Sequence, residues 1–265
     1  MESNQNNMKV VINDEYKDCK ELVVFLESLD TRYRQKGRTL HLDRNAVRSF
    51  AITELGRDVV IKRYKKPLSV QRVVYSFFRK SKAERAYYNG LKLLELGIDT
   101  PTPIAYVEQK KAGLMEYCYF ACEKTTHKSL EPLILQDKPL DDHLAMSLAR
   151  FLIDLHTKGI LHNDLNGGNI LYYQDGDTNY HFSLIDNNRM EFTDKDISFR
   201  DRMENICKFS SKDIFVQVVG CYAEILGMDI QMAIEEALDV REKFFEARAK
   251  RRAFWAKFKK DGEKK

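Results

Sequence analysis

The spacing of apolar and polar residues predicts mostly strands in the first half of the chain. Residues 39–64 hold three runs rich in Thr, Val and Ile that are separated by polar turns, which is typical of β-strands. Residues 70–96 have apolar positions at helical spacing, and Gly97 suits a helix end. Two more strand-like runs, PIAYVEQ and LMEYCYFACEK, follow. The first half therefore predicts a sheet interrupted by one helical region.

The second half of the chain is predicted to be mainly helical. Residues 141–158 keep helical spacing, begin with two aspartates and stop at Gly159. Two strand-like runs then flank the turn signal DGDTN. From about Arg200 onward the spacing is helical, and no proline follows Pro139 to interrupt it.

Together these elements predict one α+β domain over residues 1–265, with two lobes. The N-terminal lobe, at about 35–124, would hold a small antiparallel sheet. The C-terminal lobe, at about 125–240, would be mainly helical, and residues 241–265 would form a basic, aromatic C-terminal helix or tail. A chain of 265 residues is long enough for two small lobes that share a cleft.

The composition excludes several classes of protein. Hydrophobic residues make up 43% and charged residues 32%, which is ordinary for a globular protein in water. No stretch approaches the ~20 apolar residues of a membrane-spanning helix, and the polar N-terminus lacks a signal-peptide pattern. The five cysteines match no zinc spacing, so we expect reduced structural thiols. A cytoplasmic protein is the expectation.

The net charge of +4 conceals two basic segments. Residues 241–265 carry 11 Lys/Arg against four Asp/Glu, and residues 62–85 contain Glu84 as their only acid. Such segments favour phosphate, anionic lipid or nucleic acid as partners. In the tail the charges alternate with aromatic residues. This pattern is typical either of a helix at an anionic membrane surface or of a last core helix with a solvated end, and both interpretations stay open.

The strongest chemical signal is HNDLNGGNIL, residues 162–171, of the form H-x-D-L-x-x-x-N before an apolar strand. Phosphoryl transfer requires that an acceptor hydroxyl be oriented and lose its proton. A carboxylate on a rigid loop does this, so Asp164 is the candidate catalytic base. Asn169 is a candidate magnesium ligand, and His162 is interpreted as a hydrogen-bonding brace. An Asp and an Asn in such a loop also suit simple turn formation.

Two further segments carry candidate residues. The apolar run SLID ends at Asp186, a candidate magnesium ligand. The run VVIK ends at Lys62, and an ammonium group is costly to bury without a partner. We therefore expect Lys62 to bind ATP phosphates and to pair with a helix glutamate, Glu84 first and Glu95 second. The alternative is an ordinary exposed lysine at a strand end.

In this order, VVIK, SKAER, HNDLNGGNIL and SLID resemble the protein-kinase-like superfamily. The loop D-L-N-x-x-N-I-L, the run KRYKKP and the segment RKSKAER are similar to those of lipopolysaccharide core kinases, including Kdo kinases, over roughly residues 35–210. The resemblance implies a two-lobed protein-kinase-like fold and the use of ATP and Mg2+. It also implies that Lys62, Glu84, Asn169 and Asp186 bind nucleotide, the last two through the metal.

The chain departs from the superfamily pattern at three places. No G-x-G-x-x-G lies between the first two strands, so backbone amides or Arg44 and Arg48 would cover the phosphates. The usual D-F-G is replaced by Asp186-Asn187-Asn188. The Ala-Pro-Glu segment on which protein kinases dock peptides is missing, which argues against a protein substrate.

The resemblance implies a kinase that phosphorylates a sugar hydroxyl of the lipopolysaccharide inner core, on Kdo or heptose. The expected partner is a lipid-linked core oligosaccharide, and the inner face of the cytoplasmic membrane would be an additional contact. Nucleic acid is not expected as a partner, and no obligate protein partner is implied. The alternatives are a small-molecule phosphotransferase of the aminoglycoside or choline kinase type and a non-catalytic pseudokinase. The intact set of Lys62, Asp164, Asn169 and Asp186 argues against the pseudokinase.

Overall fold

The computed structural model describes residues 2–5, 8–35, 37–43, 45–136 and 138–262. The chain divides into two compact units. Unit 1 comprises Met1–Thr126 and Ser183–Arg189, and unit 2 comprises His127–Phe182 and Met190–Lys265. A short stretch that follows the hairpin of unit 2 therefore belongs to unit 1.

Unit 1 is built on an antiparallel sheet that has seven strands in the part of the chain described. The spatial order is β1-β2-β6-β7-β5-β4-β3, so β5 lies inside the sheet between β4 and β7. The strands are β1 (Glu2–Gln5), β2 (Met8–Ile12), β3 (Arg38–Leu42), β4 (Ala46–Ile52), β5 (Arg57–Arg63), β6 (Pro103–Lys111) and β7 (Leu114–Glu123).

Four helices accompany this sheet among the described residues of unit 1. They are α1 (Lys20–Glu27), α2 (Leu29–Gln35), α3 (Ser69–Phe77) and α4 (Lys82–Glu95). The first two pack Leu22, Leu26 and Leu29 into the main core of the unit. The sequence pattern had assigned no element before residue 39, so β1, β2, α1 and α2 were missed.

The helical region predicted over 70–96 is two helices, α3 and α4. The second begins where the Ser81 hydroxyl accepts a hydrogen bond from the Glu84 amide, a side-chain cap of the first turn. It ends before Gly97, which has a φ of 71° and so adopts the left-handed conformation that glycine allows. The strands predicted over 39–64 and 103–124 are confirmed.

Unit 2 combines short strands with longer helices, as predicted. Its elements are β8 (Lys128–Ser129), α5 (Glu131–Ile134), α6 (Asp142–Thr157), β9 (Ile160–His162), β10 (Ile170–Asp175), β11 (Asn179–Leu184), β12 (Met190–Phe192), α7 (Phe199–Ile206), α8 (Lys212–Ile225) and α9 (Ile230–Gly262). Strand β12 pairs antiparallel with β9, and β8 pairs with β10. The last two residues of β11 already belong to unit 1.

Helix α9 joins the core only through its first part. Ala233, Ala237 and Val240 are buried, and the guanidinium of Arg241 donates to the carbonyls of Cys207 and Phe209. Beyond that point the described side chains are largely exposed, whereas Trp255 and Phe258 lie outside the described side chains. The core interpretation therefore holds for the start of α9, and membrane binding by the tail stays a prediction.

The sequence predicted no membrane-spanning helix and five reduced, structural thiols. Among the described residues, no helix is both long and apolar enough to cross a bilayer. The five cysteines are free thiols, and burial raises the pKa of the Cys118 thiol to about 11. Buried, protonated thiols of this kind behave as small apolar side chains, as the sequence predicted.

Candidate active site

Lys62 lies in β5, where the neighbouring strands hold its backbone from both sides. It pairs with Val47 of β4 and with Phe120 of β7. Its side chain is only 17% exposed, and its Nζ lies 5.2 Å from the centre of the Tyr64 ring. A half-buried ammonium needs a nearby counter-charge or a strongly polar ligand. The alternative interpretation of Lys62, an ordinary exposed lysine at a strand end, is therefore wrong.

The counter-charge is Asp186. The Lys62 Nζ lies 2.7 Å from the Asp186 Oδ1, and the Asp186 side chain is 25% exposed. The Asn188 side-chain amide donates to the same carboxylate oxygen. Asp186 itself has a φ of 61°, a left-handed conformation that costs energy in a residue other than glycine and collects at functional sites.

A set of hydrogen bonds holds the segment around Asp186 in place. The Asn187 Nδ2 donates to the Thr100 Oγ1 over 2.9 Å, and Thr100 in turn donates to the Leu184 carbonyl over 2.7 Å. The Asn89 side chain, on α4, donates to the Asn187 carbonyl over 2.7 Å. The two asparagines that replace Phe and Gly after this aspartate thus form specific bonds within unit 1. Sequence reasoning treated them only as departures.

Glu84 is not placed as predicted. It lies in the first turn of α4, where its backbone amide is capped by Ser81, and its carboxylate lies 3.8 Å from the Lys80 Nζ. Among the described residues Lys62 pairs with Asp186 instead. The predicted pairing of Lys62 with Glu84 is therefore corrected. The S-x-x-E pattern from Ser81 to Glu84 marks the N-terminus of α4, and the helix dipole favours an acidic residue there. The runner-up Glu95 is exposed at the last residue of α4.

The candidate catalytic loop, in unit 2, holds the peptide groups of Asp164 on both sides. The Asp164 amide donates to the His162 Nδ1 over 3.2 Å. The Asp164 carbonyl accepts from the side-chain amides of Asn166, at 2.9 Å, and Asn169, at 2.8 Å. Leu165, the next residue, is fully buried. These bonds fix the backbone that carries the Asp164 carboxylate, which is the rigidity that a positioned base requires.

His162 acts as the predicted brace and is itself held by a buried network. Its carbonyl accepts from the Asn205 Nδ2 over 3.1 Å, and the Asn205 Oδ1 lies 3.4 Å from the His156 Nε2. The His156 Nδ1 is 3.0 Å from the Tyr222 hydroxyl. Burial lowers the pKa of His156 to about 4, so this side chain is neutral near pH 7, while the Arg202 guanidinium donates to the same Tyr222 hydroxyl over 3.3 Å.

Gly167 allows the loop to approach α5 closely. A Cβ at this position would lie 2.4 Å from the Glu131 Oε2 and 2.6 Å from the Ile134 Cδ1. The Glu131 Oε2 is a buried oxygen without a hydrogen-bond partner among the described residues. The sequence analysis assigned neither an element nor a role to the segment that contains Glu131.

Each of the two predicted magnesium ligands carries an oxygen donor within its own unit. The Asp186 carboxylate is in unit 1 and the Asn169 side chain in unit 2. Because the Asn169 nitrogen is bonded to the Asp164 carbonyl, its oxygen is the atom left to coordinate. No cluster of three or more His, Cys, Asp or Glu suits a metal in the described part of the chain. Carboxylate and amide oxygens, completed by phosphates and water, fit Mg2+.

Arg48, one of the residues predicted to contact the ATP phosphates in place of a glycine-rich loop, is engaged elsewhere. Its guanidinium donates to the Tyr33 carbonyl over 2.6 Å and lies 5.4 Å from the Tyr33 ring centre, so it ties β4 to α2. Arg44, the other candidate, lies outside the described residues. The structure thus brings Lys62 together with Asp186, and Asp164 together with Asn169, each pair within its own unit.

A protein-kinase-like fold is defined by the antiparallel sheet of unit 1, the helices of unit 2 and the candidate catalytic loop at residues 162–171. A solved structure of WaaP in complex with acyl carrier protein matches with a TM-score of 0.58 and 16% identity, covering 91% of this chain and 98% of that one. A structure of WbdD matches with a TM-score of 0.45 and 17% identity, covering 78% of this chain and 45% of that one. The match to WaaP confirms the predicted α+β, protein-kinase-like fold.

The family follows from sequence. The model of the lipopolysaccharide kinase (Kdo/WaaP) family matches residues 25–212, and the chain belongs to this family. A 3-deoxy-D-manno-octulosonic acid kinase of Vibrio parahaemolyticus serotype O3:K6 (strain RIMD 2210633) is 28% identical over 98 residues, 37% of this chain. That alignment spans about two-fifths of the relative's own length (41%). The resemblance drawn from the loop and its flanking segments is thereby confirmed.

Proposed function

We propose that this protein transfers the γ-phosphate of ATP to a sugar hydroxyl of the lipopolysaccharide inner core, on Kdo or heptose. The observation that carries the proposal is the family match over residues 25–212, which includes Lys62, Glu84, Asp164, Asn169 and Asp186. The curated relative with the name of a Kdo kinase supports the same acceptor class. Membership in a kinase family implies ATP as the phosphate donor.

Asp164 is the proposed base. As the acceptor oxygen forms its bond to the γ-phosphorus, the bond from that phosphorus to the β–γ bridging oxygen breaks and ADP leaves. The proton of the acceptor hydroxyl passes to the Asp164 carboxylate. The hydrogen bonds from Asn166 and Asn169 to the Asp164 carbonyl keep this carboxylate oriented during the transfer.

Lys62 and Asp186 are proposed to bind the nucleotide. Their ion pair keeps a half-buried ammonium and a half-buried carboxylate neutralised when no nucleotide is bound. ATP phosphates offer Lys62 a second anionic partner, and Asp186 and Asn169 would hold Mg2+. The metal, when bound, would neutralise charge on the phosphates. Glu84, in α4, is proposed to contribute to nucleotide binding, but not through Lys62. Residues 122–125, which include the end of β7, are the proposed contact for the adenine.

The proposed setting is the cytoplasm, where ATP is available, with peripheral attachment to the inner face of the cytoplasmic membrane. A lipid-linked core oligosaccharide is the proposed partner. It already carries phosphates or carboxylates, which suits the positive charge of residues 62–85.

Mass spectrometry of lipopolysaccharide tests this proposal in cells. Lipopolysaccharide from cells that lack the gene is compared with that from cells complemented with the wild-type chain and with Asp164→Asn. The proposal expects one additional phosphate on the inner core only with the wild-type chain. Identical masses in all three samples would contradict it, and an extra phosphate with Asp164→Asn would contradict the role of Asp164.

A further inference from the structure

Helix α3 presents its apolar face to solvent. Val70, Val73, Val74 and Phe77 follow the i, i+3, i+4, i+7 spacing and so lie on one face of the helix. Val70 is 77% exposed and Phe77 67% exposed, and Val73 and Val74 are also exposed. No residue of α3 is buried. An ordinary surface helix shows the opposite arrangement, as α4 does with its buried Ala83, Ala86, Tyr87 and Leu93.

The face of α3 that docks on the sheet carries Arg72, Ser76 and the partly buried Tyr75. The Arg72 Nε donates to the Met115 carbonyl over 2.8 Å, and the Ser76 Oγ accepts from the Met115 amide over 2.8 Å. Both bonds reach the start of β7 from the side of α3 opposite Val70 and Phe77. The helix is therefore held in this orientation by specific bonds, and its apolar face is directed outward.

Two more large side chains extend the exposed apolar surface at the ends of α3. Leu68, immediately before the helix, is 71% exposed, and Phe78, immediately after it, is 81% exposed. The outward-facing residues Leu68, Val70, Val73, Val74, Phe77 and Phe78 are called the α3 ridge. Six large apolar side chains within eleven residues form a continuous patch, which marks an interaction surface rather than scattered exposure.

The surroundings of the α3 ridge are basic. Residues 59–83 contain eight Lys/Arg and no Asp/Glu. A cavity of about 210 Å³ lies beside α3. Three of its eleven lining residues are the lysines Lys65, Lys66 and Lys82, and apolar side chains such as Leu68 and Met115 are among the others. Lys82 has no ion-pair partner among the described residues, whereas Lys66 pairs with Glu116 at 2.7 Å. A cavity with this lining favours an anionic group.

We propose that the α3 ridge inserts into the surface of an anionic membrane and that the lysine-lined cavity beside it takes a lipid headgroup phosphate. An amphipathic helix with apolar residues outward and cations around it has the composition of an interfacial helix. The cations add attraction to anionic headgroups. An apolar protein partner would leave this positive charge unmatched. The inference rests on the peripheral membrane attachment proposed above and names the surface that makes it. It is tested apart from phosphotransfer, because binding to a membrane requires neither ATP nor the sugar acceptor.

Vesicle co-sedimentation with the full chain tests the proposal. The probes are phosphatidylcholine vesicles with and without phosphatidylglycerol, at low and high salt. The double variant Phe77→Ser/Phe78→Ser should lower partition onto anionic vesicles ~100-fold, from the apolar burial lost at two rings. Lys82→Met should lower it ~5-fold on anionic vesicles only. Salt should weaken wild-type binding by screening.

The matched control is Leu135→Ser/Met232→Ser, which removes two apolar side chains of similar exposure (64% and 70%) that belong to unit 2. It should bind as wild type does. Thermal unfolding of each variant confirms folding, which exposed substitutions should leave intact. Equal partition of wild type and Phe77→Ser/Phe78→Ser would overturn the proposal, as would equal binding to neutral and anionic vesicles. Loss of binding only on removal of residues 247–265 would also overturn it, since that result assigns the contact to the tail.

Discussion

The two sets of candidate site residues are built from different interactions. In unit 1, Lys62 and Asp186 are opposite charges at 2.7 Å, and the carboxylate has a left-handed backbone. In unit 2, the Asp164 peptide is held by the neutral side chains of His162, Asn166 and Asn169. The unit 1 set adds an ion pair to the neutral hydrogen bonds of Asn187 and Asn188, whereas the Asp164 peptide is held by neutral hydrogen bonds alone.

This difference fits the parts that the two sets play in the proposed reaction. Groups that bind phosphate and metal must be charged. Before a ligand binds, their mutual attraction offsets the free-energy cost of burying both charges. A base must instead keep one position, and neutral buried bonds give rigidity without shifting its charge. Substitutions in unit 1 should therefore act on nucleotide binding, and substitutions in unit 2 on turnover and loop stability.

The largest effect is expected at the base. Asp164→Ala should lower turnover by ~10²–10⁴-fold, because the acceptor hydroxyl loses its proton acceptor. ATP affinity should stay close to wild type, since the proposed phosphate-binding lysine lies in unit 1. Steady-state kinetics and nucleotide titration check both parts. A variant that keeps near-normal turnover would remove Asp164 from the mechanism.

The buried network behind the loop should respond to pH. Above about pH 6.5 His156 is neutral in the folded and the unfolded chain and adds no pH dependence. As the pH falls from 6.5 towards the folded-state pKa of about 4, only the unfolded chain takes up this proton. The free energy of unfolding should therefore fall by up to about 3 kcal/mol over that range.

Urea denaturation of the wild type and of His156→Gln at several pH values measures this term. Glutamine retains hydrogen-bonding capacity but does not titrate, so the difference between the two profiles isolates His156 from the carboxylates. The profile of the variant should be flatter between pH 6.5 and 4. Parallel profiles would show that His156 does not titrate in this way.

The close approach of the loop to α5 gives a smaller effect. Gly167→Ala should destabilise the protein by ~1–3 kcal/mol, because a Cβ would meet Glu131 and Ile134 at under 3 Å. The control is Gly220→Ala in α8, where the nearest atom would be 3.9 Å away. That change should be neutral or slightly stabilising. Equal stability of the two variants would contradict the packing described for the loop.

The smallest effect is expected for the metal ligand in unit 1. Asp186→Asn removes one charge from the proposed magnesium shell and should weaken magnesium-dependent ATP binding ~10-fold, the lower end of the loss that changes around metal sites commonly produce. Titration of ATP with and without magnesium measures it, and Asp175→Asn, an exposed aspartate in β10, is the control. If magnesium aids wild type and Asp186→Asn equally, Asp186 is not a ligand.

Much of the fold followed from local patterns. Strands β4 and β5 were predictable because they lie in runs rich in Thr, Val and Ile between polar turns, and α6 because two aspartates begin it and Gly159 follows its end. The first 35 residues were missed. Helices α1 and α2 gain their place by packing Leu22, Leu26 and Leu29 under the sheet, which is a tertiary effect that a local pattern does not contain.

The sequence identified the candidate site residues but not the contacts between them. Asp164, Asn169 and Asp186 stand in recognisable segments, but the partner of Lys62 depends on chain segments more than 120 residues apart. Spacing in the sequence could not choose between a helix acid and a loop acid. Likewise the exposed face of α3 could not be recognised, because amphipathic spacing does not say which face packs inward.

Transfer of label from radioactive ATP tests the central claim most directly. Purified chain is incubated with Kdo-lipid A precursors, with generic protein substrates, and with Asp164→Asn in place of the wild type. The account predicts label in the lipid-linked sugar with the wild-type chain alone and none in protein. Label only in protein would contradict it, and so would the absence of label from both acceptors by a chain that still binds ATP.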